Sequence, residues 1–215
     1  MPFRFPGWST LLARWVVYGG PLVLLLLLAA PMVYVRTPYY LETQDPVNQP
    51  VQFDHRHHVV DDRIDCRFCH QTVETAASAG YPATEVCMAC HSQVWNTAPI
   101  LEQVRSSYFT NQPIRWHRVH RLPQFVYFNH SIHVNKGVGC AECHGRVDQM
   151  PLVEQTRDLT MGWCLDCHRH PLGRLRPKSE VTSMTWKPSG DVADQKVLAA
   201  LYHVNTRTNC TTCHR

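Results

Sequence analysis

The chain has 215 residues, 44% of them hydrophobic, and a formal net charge of +4 from 21 basic and 17 acidic residues. This mild excess of positive charge does not indicate a nucleic-acid-binding protein, which usually has a strongly basic surface. The unusual part of the composition is its 10 cysteines and 14 histidines. Their spacing is therefore the first feature to explain.

The first predicted element is a membrane anchor. Residues 1–14 are short and contain two arginines, and residues 15–35 carry no charge. A helix of that length spans a hydrocarbon core of about 30 Å. Pro21 and Pro31 are tolerated in membrane helices, although they can bend or shorten them. The alternative is a cleaved signal peptide, but no small-x-small cleavage site is evident, and we predict an uncleaved anchor with a cytoplasmic N-terminus.

Residues 36–52 contain three prolines and little periodicity, which predicts an extended linker. The remaining residues, 53–215, hold every cysteine of the chain. All ten cysteines fall in five C-x-x-C-H motifs: Cys66/Cys69/His70, Cys87/Cys90/His91, Cys140/Cys143/His144, Cys164/Cys167/His168 and Cys210/Cys213/His214.

C-x-x-C-H is the attachment signature of a c-type haem, so five motifs predict five haems c. In each motif the two cysteines form thioethers, and the histidine binds the iron as its proximal ligand. A disulfide framework gives no reason for a histidine after every second cysteine, and zinc ribbons do not need it there. Five haems also bring about ten propionate charges, for which the mild basicity of the chain is a counter-charge.

An internal repeat organises the haem-binding region. Phe53–His70 and Phe128–His144 both begin with F-x-H-x-x-H and end with C-x-x-C-H, with one extra residue in the first copy. A second motif follows each copy at a similar distance, which indicates a duplicated dihaem module. The predicted parts are 53–91 with haems I and II, 92–127 as a spacer, 128–168 with haems III and IV, and 169–215 with haem V.

Each iron needs a second, distal ligand to become six-coordinate and low-spin, as in electron-transfer haems. Nine histidines remain after the proximal ones are assigned, and the two in an F-x-H-x-x-H segment usually reach different haems. We predict these five distal ligands: His55, His58, His120, His130 and His133. The weaker candidates are His57, His117, His170 and His203, with Met150 and Met161 as alternatives for one His/Met site.

The predicted fold is mainly irregular and helical, with one transmembrane helix, short helices packed on five haems, and little or no sheet. The only long amphipathic pattern outside the anchor is Asp191–Val204, with Asp191 as its cap and an apolar face for haem V. Four arginines near the motifs are candidates to neutralise propionates: Arg67, Arg146, Arg169 and Arg215.

Several segments resemble one bacterial family. They are the N-terminal anchor, Val51–His70 with its FDHRHH sequence, Trp116–His133, Trp163–His168 and the terminal NCTTCHR. Together they are similar to the membrane-anchored pentahaem cytochrome c subunit of alternative complex III, a quinol:electron-acceptor oxidoreductase. The resemblance covers nearly the whole chain.

The resemblance implies an electron-transfer subunit without a substrate site of its own, in a respiratory or photosynthetic chain. Quinol would be oxidised in a polytopic membrane subunit, and electrons would arrive through an iron–sulfur subunit of molybdopterin-enzyme type. They would leave to a monohaem cytochrome c subunit or a soluble carrier. Covalent haem attachment predicts a single-pass protein of the bacterial inner membrane with its haem domain on the periplasmic face.

Two other functions fit part of the pattern. A single-anchor multihaem quinol dehydrogenase of nitrate or nitrite respiration shares the anchor and haems, but it has four haems and places a quinol site beside the first haem at the membrane surface. A multihaem reductase would leave one iron open to a small substrate, and such enzymes often carry C-x-x-C-K, which is absent from this sequence.

Overall fold

The computed structural model describes residues 5–188 and 190–214, in two compact units that divide between Thr43 and Gln44. Two residues used in the predictions above lie outside the described residues: Arg4, in the predicted cytoplasmic segment, and Arg215, a propionate candidate.

The first unit is built on one continuous helix, Gly7–Tyr34, of 28 residues. It consists of α1 (Gly7–Arg14), a π-helical turn (Trp15–Gly19) and α2 (Gly20–Tyr34). Its most apolar window has a mean hydropathy of 2.2, and none of that window is buried. By length and composition it can cross a membrane, and it contains nearly all of the predicted anchor.

The helix continues through both prolines. Pro21 has no N–H to donate to the carbonyl of Val17, four residues earlier, and the wider π turn at Trp15–Gly19 lies where this hydrogen bond would otherwise form. Pro31 also lies inside α2 without ending it. The helix begins at Gly7, earlier than the predicted span, because none of the residues after Pro6 in this stretch breaks a helix.

A short helix α3 (Pro38–Leu41) completes the first unit, with Thr37 as its cap. The second unit has seven helices within the described residues, none longer than 10 residues. They are α4 (Cys66–Cys69), α5 (Thr84–His91), α6 (Glu102–Thr110), α7 (His130–Asn135), α8 (Cys140–His144), α9 (Met161–Arg169) and α10 (Val192–Leu201). Single turns of other helix types lie at His57–Asp61, Pro99–Leu101, Val147–Gln149, Lys178–Glu180 and Cys210–Thr212.

No sheet forms in the part of the chain that the structure describes, where strand-like pairing is limited to isolated bridges such as Val138 with Leu175. The predicted fold class, helical and irregular with one apolar N-terminal helix, is confirmed. The apolar core is also thin. Its two clusters are Val51, Met88, Leu101 and Val104, and Val73, Val134 and Val181.

The second cluster joins the two copies of the repeat. Val73 follows the first copy, Val134 lies in α7 of the second, and Val181 comes from the segment after α9. Clusters this small leave the prosthetic groups to supply much of the apolar interior, as the composition predicts.

Part of the predicted linker packs within the second unit. Val51 is only 5% exposed in the first cluster. The side chain of Gln49 donates to the carbonyl of His117 and accepts from its N–H, both at 2.9 Å. Residues 44–52 are therefore held against the segment that carries His117.

The predicted C-terminal helix is confirmed as α10. Oδ1 of Asp191 accepts from the N–H of Ala193 at 2.7 Å, which is the expected cap. The helix ends at Leu201, earlier than predicted. Val197 and Leu201 on its apolar side are exposed, and their packing on haem V stays a prediction.

Candidate haem-binding site

The five motifs lie on helical turns, as predicted. Four are in α4, α5, α8 and α9, and the fifth begins the turn Cys210–Thr212. Residues three and four apart share one face of a helix, so each turn presents two thiols and an imidazole on the same side. This is the arrangement that attachment to one planar group requires.

All ten cysteines lie in the described part of the chain, and none forms a disulfide. The disulfide framework considered from the sequence is therefore not present. The sulfur atoms are available to form thioethers.

Four proximal histidines are oriented by the backbone. In each, Nδ1 donates to a carbonyl oxygen, which leaves Nε2 as the nitrogen that can bind iron. The pairs are His70 with Gly80 at 2.9 Å, His91 with Val94 at 3.0 Å, His168 with Arg207 at 2.8 Å and His214 with Phe125 at 3.1 Å.

The first copy of the repeat builds a small aromatic cage. The Phe53 ring stacks on His58 at 4.4 Å and meets His55 edge-on at 4.7 Å. Nδ1 of His58 lies 3.0 Å from the carbonyl of Asp54, so its Nε2 is free as a ligand atom. One phenylalanine thus orients two imidazoles that face different ways.

The second copy repeats this cage. The Phe128 ring stacks on His133 at 4.4 Å and meets His130 edge-on at 4.8 Å. Nδ1 of His133 donates to the carbonyl of Asn129 at 2.8 Å, and Nδ1 of His130 donates to Ala77 at 2.9 Å. Because Ala77 lies between motifs I and II, this last bond also connects the two copies.

Three of the predicted distal histidines face a proximal histidine. The ring centres are 6.2 Å apart for His58 and His91, 6.1 Å for His133 and His168, and 6.3 Å for His130 and His144. Two imidazoles on opposite sides of one metal ion, each bound at about 2 Å, have ring centres roughly 6 Å apart. The residues present therefore fit a bis-histidine haem at motifs II, III and IV.

His55 lies beside the remaining proximal histidine of the first module. Burial, followed by the neighbouring His70 and His58, lowers the pKa of His55 to about 4. Its Nδ1 is buried without a hydrogen-bond partner. The ring is thus neutral at physiological pH, which is the form that binds iron.

His120 is brought to a different position. Its ring centre lies only 4.2 Å from that of His144, which is too short for an iron atom between the two rings. Burial, followed by the nearby His130, lowers the pKa of His120 to about 4, and its Nε2 has no partner. Burial, with His120 and His130 adding to it, lowers the pKa of His144 to about 3. His120 as the fifth distal ligand stays a prediction.

Two of the weaker histidine candidates differ from each other. The ring nitrogens of His57 lie 3.3 Å from the carboxylate of Asp61 and 3.5 Å from that of Asp62, and the ring stacks on Trp95. His117 instead donates from Nδ1 to the carbonyl of Asn48 at 2.7 Å, the same type of bond that orients the proximal histidines. His117 is therefore a better-oriented ligand candidate than its sequence context suggested.

Neighbouring thiols show which motifs adjoin. Burial raises the pKa of Cys87, and Cys69 raises it further, so motif II adjoins motif I. The side chains of Cys66 and Cys140 interact directly, so motif I adjoins motif III.

The cysteines of motifs III, IV and V are neighbours in the same way. Burial raises the pKa of Cys143 to about 12, with Cys167 as the next cause, so motif III adjoins motif IV. Burial also raises the pKa of Cys164, with Cys213 as the next cause, so motif IV adjoins motif V. The motifs form a row in the order II, I, III, IV, V.

Two of the ten cysteines are more exposed than the others. Cys90 of motif II and Cys210 of motif V are exposed, whereas the other eight are partly buried. These two cysteines are exposed because motifs II and V end the row, so each has a neighbouring motif on one side only. Cys90 still lies near motif I, since after burial and Cys66 it is a further cause of the raised pKa of Cys69. Haem attachment at Cys90 therefore stays a prediction, with its thiol at the surface.

Two of the arginines proposed for propionates already bind carboxylates of the chain. Arg67 contacts Asp65 at 2.9 Å, and Arg146 contacts Asp148 at 2.7 Å. Sequence reasoning missed a more buried arginine, Arg176, which packs against the start of motif III. The nearest signal was Gly137-Val138-Gly139 before the motif, since glycines this close together often mark a close approach of another group.

Comparison with known proteins indicates which class of protein this chain resembles. Residues 126–215 match the family described as "Cytochrome c7 and related cytochrome c". The "Menaquinone reductase, multiheme cytochrome c subunit" of Nitratidesulfovibrio vulgaris (strain Hildenborough) is 28% identical over 182 residues, which covers 78% of this chain and 77% of the relative. Both matches are to multihaem cytochromes c.

Cytochromes c of this kind transfer electrons and carry covalently bound haem c. The cofactor type and the electron-transfer role predicted from the motifs are thereby supported at the level of the class. The family match covers motifs III to V, and the relative extends the similarity over most of the chain.

Proposed function

We propose that this chain conducts electrons through five covalently bound haems c, as the membrane-anchored subunit of a complex that exchanges electrons with the quinone pool. The observation that carries the proposal is the set of three histidine pairs with ring centres 6.1 to 6.3 Å apart. A disulfide-rich or zinc-binding domain has no need for that spacing.

The residues of the chain have separate tasks in this mechanism. When bound, haem c supplies one-electron redox chemistry. The cysteines of each motif attach it, so that a thin core is sufficient. The Nδ1 bonds from rings such as His168 and His133 fix which nitrogen faces the iron. Burial keeps rings such as His144 neutral and excludes water from the ligand side.

The row of motifs supports a continuous path for electrons. Each motif adjoins the next, with motif II at one end and motif V at the other. Electrons would enter at one end of the row and leave at the other, so the two ends are the expected contacts with partner proteins. The sequence order of the first two motifs is reversed along this path.

For the complex itself we propose a quinol-oxidising assembly of the alternative complex III type. The resemblance of the anchor and motifs to that family supports this assignment, as does a relative named as the multihaem cytochrome c subunit of a menaquinone reductase. The helix Gly7–Tyr34 would anchor the chain in the inner membrane, with the haem domain on the outer face. Iron–sulfur, polytopic quinol-binding and cytochrome c subunits would be its partners.

The relative's printed name describes electron flow in the opposite direction, toward menaquinone. A row of bis-histidine haems conducts both ways, so the partners and potentials decide the direction. We favour quinol oxidation on the resemblance, with quinone reduction as the second candidate.

Haem content gives the first test. The full-length chain is produced in cells that attach c-type haem, and its mass and pyridine haemochrome absorbance are measured. We expect five haems for each chain and only low-spin ferric signals in the electron paramagnetic resonance spectrum. Fewer than five haems, or a strong high-spin signal in the resting protein, would contradict the proposal and favour a reductase.

A second test concerns the complex and the direction of flow. The chain is purified from its own membranes with its partners, and two reactions are compared: oxidation of a short-chain menaquinol by cytochrome c, and reduction of the menaquinone by a low-potential reduced cytochrome. Quinol oxidation that depends on co-purified subunits supports the proposal. Faster quinone reduction supports the second candidate, and quinol oxidation by the isolated chain supports a single-anchor dehydrogenase.

A further inference from the structure

Arg176 is the most deeply buried charged side chain among the described residues, with 2% of its surface exposed. Its Nη2 donates to Oε1 of Glu142 at 2.7 Å, and its Nη1 donates to the carbonyl of Ser183 at 2.8 Å. The guanidinium also lies 4.9 Å from the ring centre of Trp186. It is thus held on three sides by one carboxylate, one carbonyl and one aromatic ring.

This guanidinium packs directly under the attachment turn of motif III. A Cβ atom added at Gly139, the residue before Cys140, would lie 2.1 Å from Cζ of Arg176. Glu142 is itself inside the motif, between Cys140 and Cys143, and its side chain is 24% exposed. A buried ion pair is therefore part of the wall of this one attachment site.

A second arginine connects this ion pair to motif IV. Arg174 contacts Glu142 at 3.8 Å and Asp166 at 3.0 Å. Asp166 lies between the two cysteines of motif IV, as Glu142 lies between those of motif III. These outer contacts are exposed by a third or more on the Arg174 and Asp166 side chains, so solvent screens them.

The equivalent site in the first copy has no such pair. Phe68 stands where the second copy has Glu142, and Asp65 stands where it has Gly139. The arginine of that turn, Arg67, is 42% exposed and binds Asp65 at the surface. Two attachment sites with the same histidine cage therefore have different electrostatic surroundings.

Burying two charges costs desolvation free energy, and a hydrophobic pair of the same volume would often be as stable. A buried pair beside a redox centre has a second effect, because each charge acts on the added electron through a medium of low dielectric constant. A cation favours the reduced state, and an anion disfavours it. We propose that Arg176 and Glu142 act on the haem of motif III in opposite directions, and that their pairing keeps its reduction potential between the values that either charge alone would give.

This inference rests on the proposed function, since it requires a haem on Cys140 and Cys143. The test is a redox titration of the full-length haem-loaded chain, followed by absorbance and electron paramagnetic resonance. A variant with Cys140→Ser and Cys143→Ser identifies the component of haem III as the one that disappears. The other components serve as internal references.

Single replacements should move that component in opposite directions. Arg176→Met leaves Glu142 unpaired, so the equilibrium constant for reducing haem III should fall about tenfold, or about 59 mV. Glu142→Gln leaves Arg176 unpaired, so the same constant should rise by a comparable factor. The double variant should return close to the wild-type value, because it removes both charges.

Arg67→Met is the matched control in the first copy. Its charge is exposed and screened, so haem I should shift less than twofold, and haem III should not move. If Arg176→Met fails to fold, Glu142→Gln decides alone: a rise in the haem III constant supports the proposal, and no change overturns it.

Other outcomes distinguish a failure of this inference from a failure of the proposed function. Equal shifts of both single variants in the same direction, or no shift with all five haems present, would overturn the role of the pair while leaving electron transfer intact. Absence of haem from motif III in the unaltered chain would overturn the proposed function itself.

Discussion

The two copies of the repeat agree where the sequence is local and differ where distant segments reach them. Phe53 and Phe128 each stack on the second histidine of their segment at 4.4 Å, with interplanar angles of 24° and 25°. Before the first cysteine of the motif, however, one copy has the exposed Asp65 and the other has Gly139 above a buried arginine. The two copies thus share the ligand cage, and contacts from distant segments give each site its own charge.

The difference in length between the two copies is confined to one position. The first copy has one more residue between its second histidine and its first cysteine, and it forms the π-helical turn His57–Asp61 there. Arg63 and Gly137, each three residues before that cysteine, both have left-handed backbones, with φ of 56° and 78°. The extra residue is thus taken up before this shared position, and the approach to the motif is unchanged.

The largest effect is expected when the distal histidine of one cage is removed, in one copy at a time. In His133→Ala the haem on motif IV should lose its distal ligand and become high-spin, because His133 faces His168. In His58→Ala the haem on motif II should change in the same way. Magnetic circular dichroism and electron paramagnetic resonance measure the loss, one haem of five in each variant.

His57→Ala is the control for these two variants. His57 is adjacent to His58 but pairs with surface carboxylates, so all haems should stay low-spin. Loss of the haem III signal in His133→Ala, in place of haem IV, would show that the ligand assignment is wrong.

A smaller effect is expected at the position that differs between the copies. Gly139→Ala forces the pinned guanidinium of Arg176 to move, so we expect a loss of about 1–3 kcal/mol in unfolding free energy, the usual cost of overpacking. Asp65→Ala removes the cap of α4, and about 1 kcal/mol should be lost. Chemical denaturation of the haem-loaded chain measures both.

The loss of stability in Gly139→Ala is the decisive result. If Gly139→Ala is as stable as the wild type, the guanidinium is not held tightly under the motif. Asn111→Ala at the end of α6 lies outside both copies and should leave the haem spectra unaltered.

The smallest effect tests the phenylalanine shared by both cages. Phe128→Leu removes the stacked ring from His133, so about 1 kcal/mol of stability should be lost and the haem IV resonance signal should broaden. Phe53→Leu should do the same for haem II. Phe109→Leu, a change of an exposed ring in α6, should alter neither signal.

The features that could be predicted from the sequence depend on short-range patterns. The five motifs and the apolar helix needed only neighbouring residues, as did the capped helix at Asp191. The F-x-H-x-x-H spacing predicts that the two histidines serve different haems, and this stays a prediction. In the structure the rings of His130 and His133 lie near different proximal histidines.

The features that could not be predicted depend on long-range contacts. Nothing near Glu142 in the sequence indicates Arg176 as its partner, because the two residues come from separate segments that fold together. The packing of residues 44–52 against His117 is of the same kind. A proline-rich segment resembles a free linker until the surface that binds it is known.

The contacts around the segment after α9 have a consequence for the order of assembly. Val181 accepts a backbone hydrogen bond from Cys140, and the side chain of Thr182 donates to Asp65. This one stretch is therefore hydrogen-bonded to both copies of the repeat. In the proposed location the haem domain would cross the membrane from its N-terminal end onward, so motif I would emerge long before this stretch does. The first dihaem module would then mature while its neighbour is still missing, and the junction at the middle of the row would close only after most of the chain has crossed the membrane.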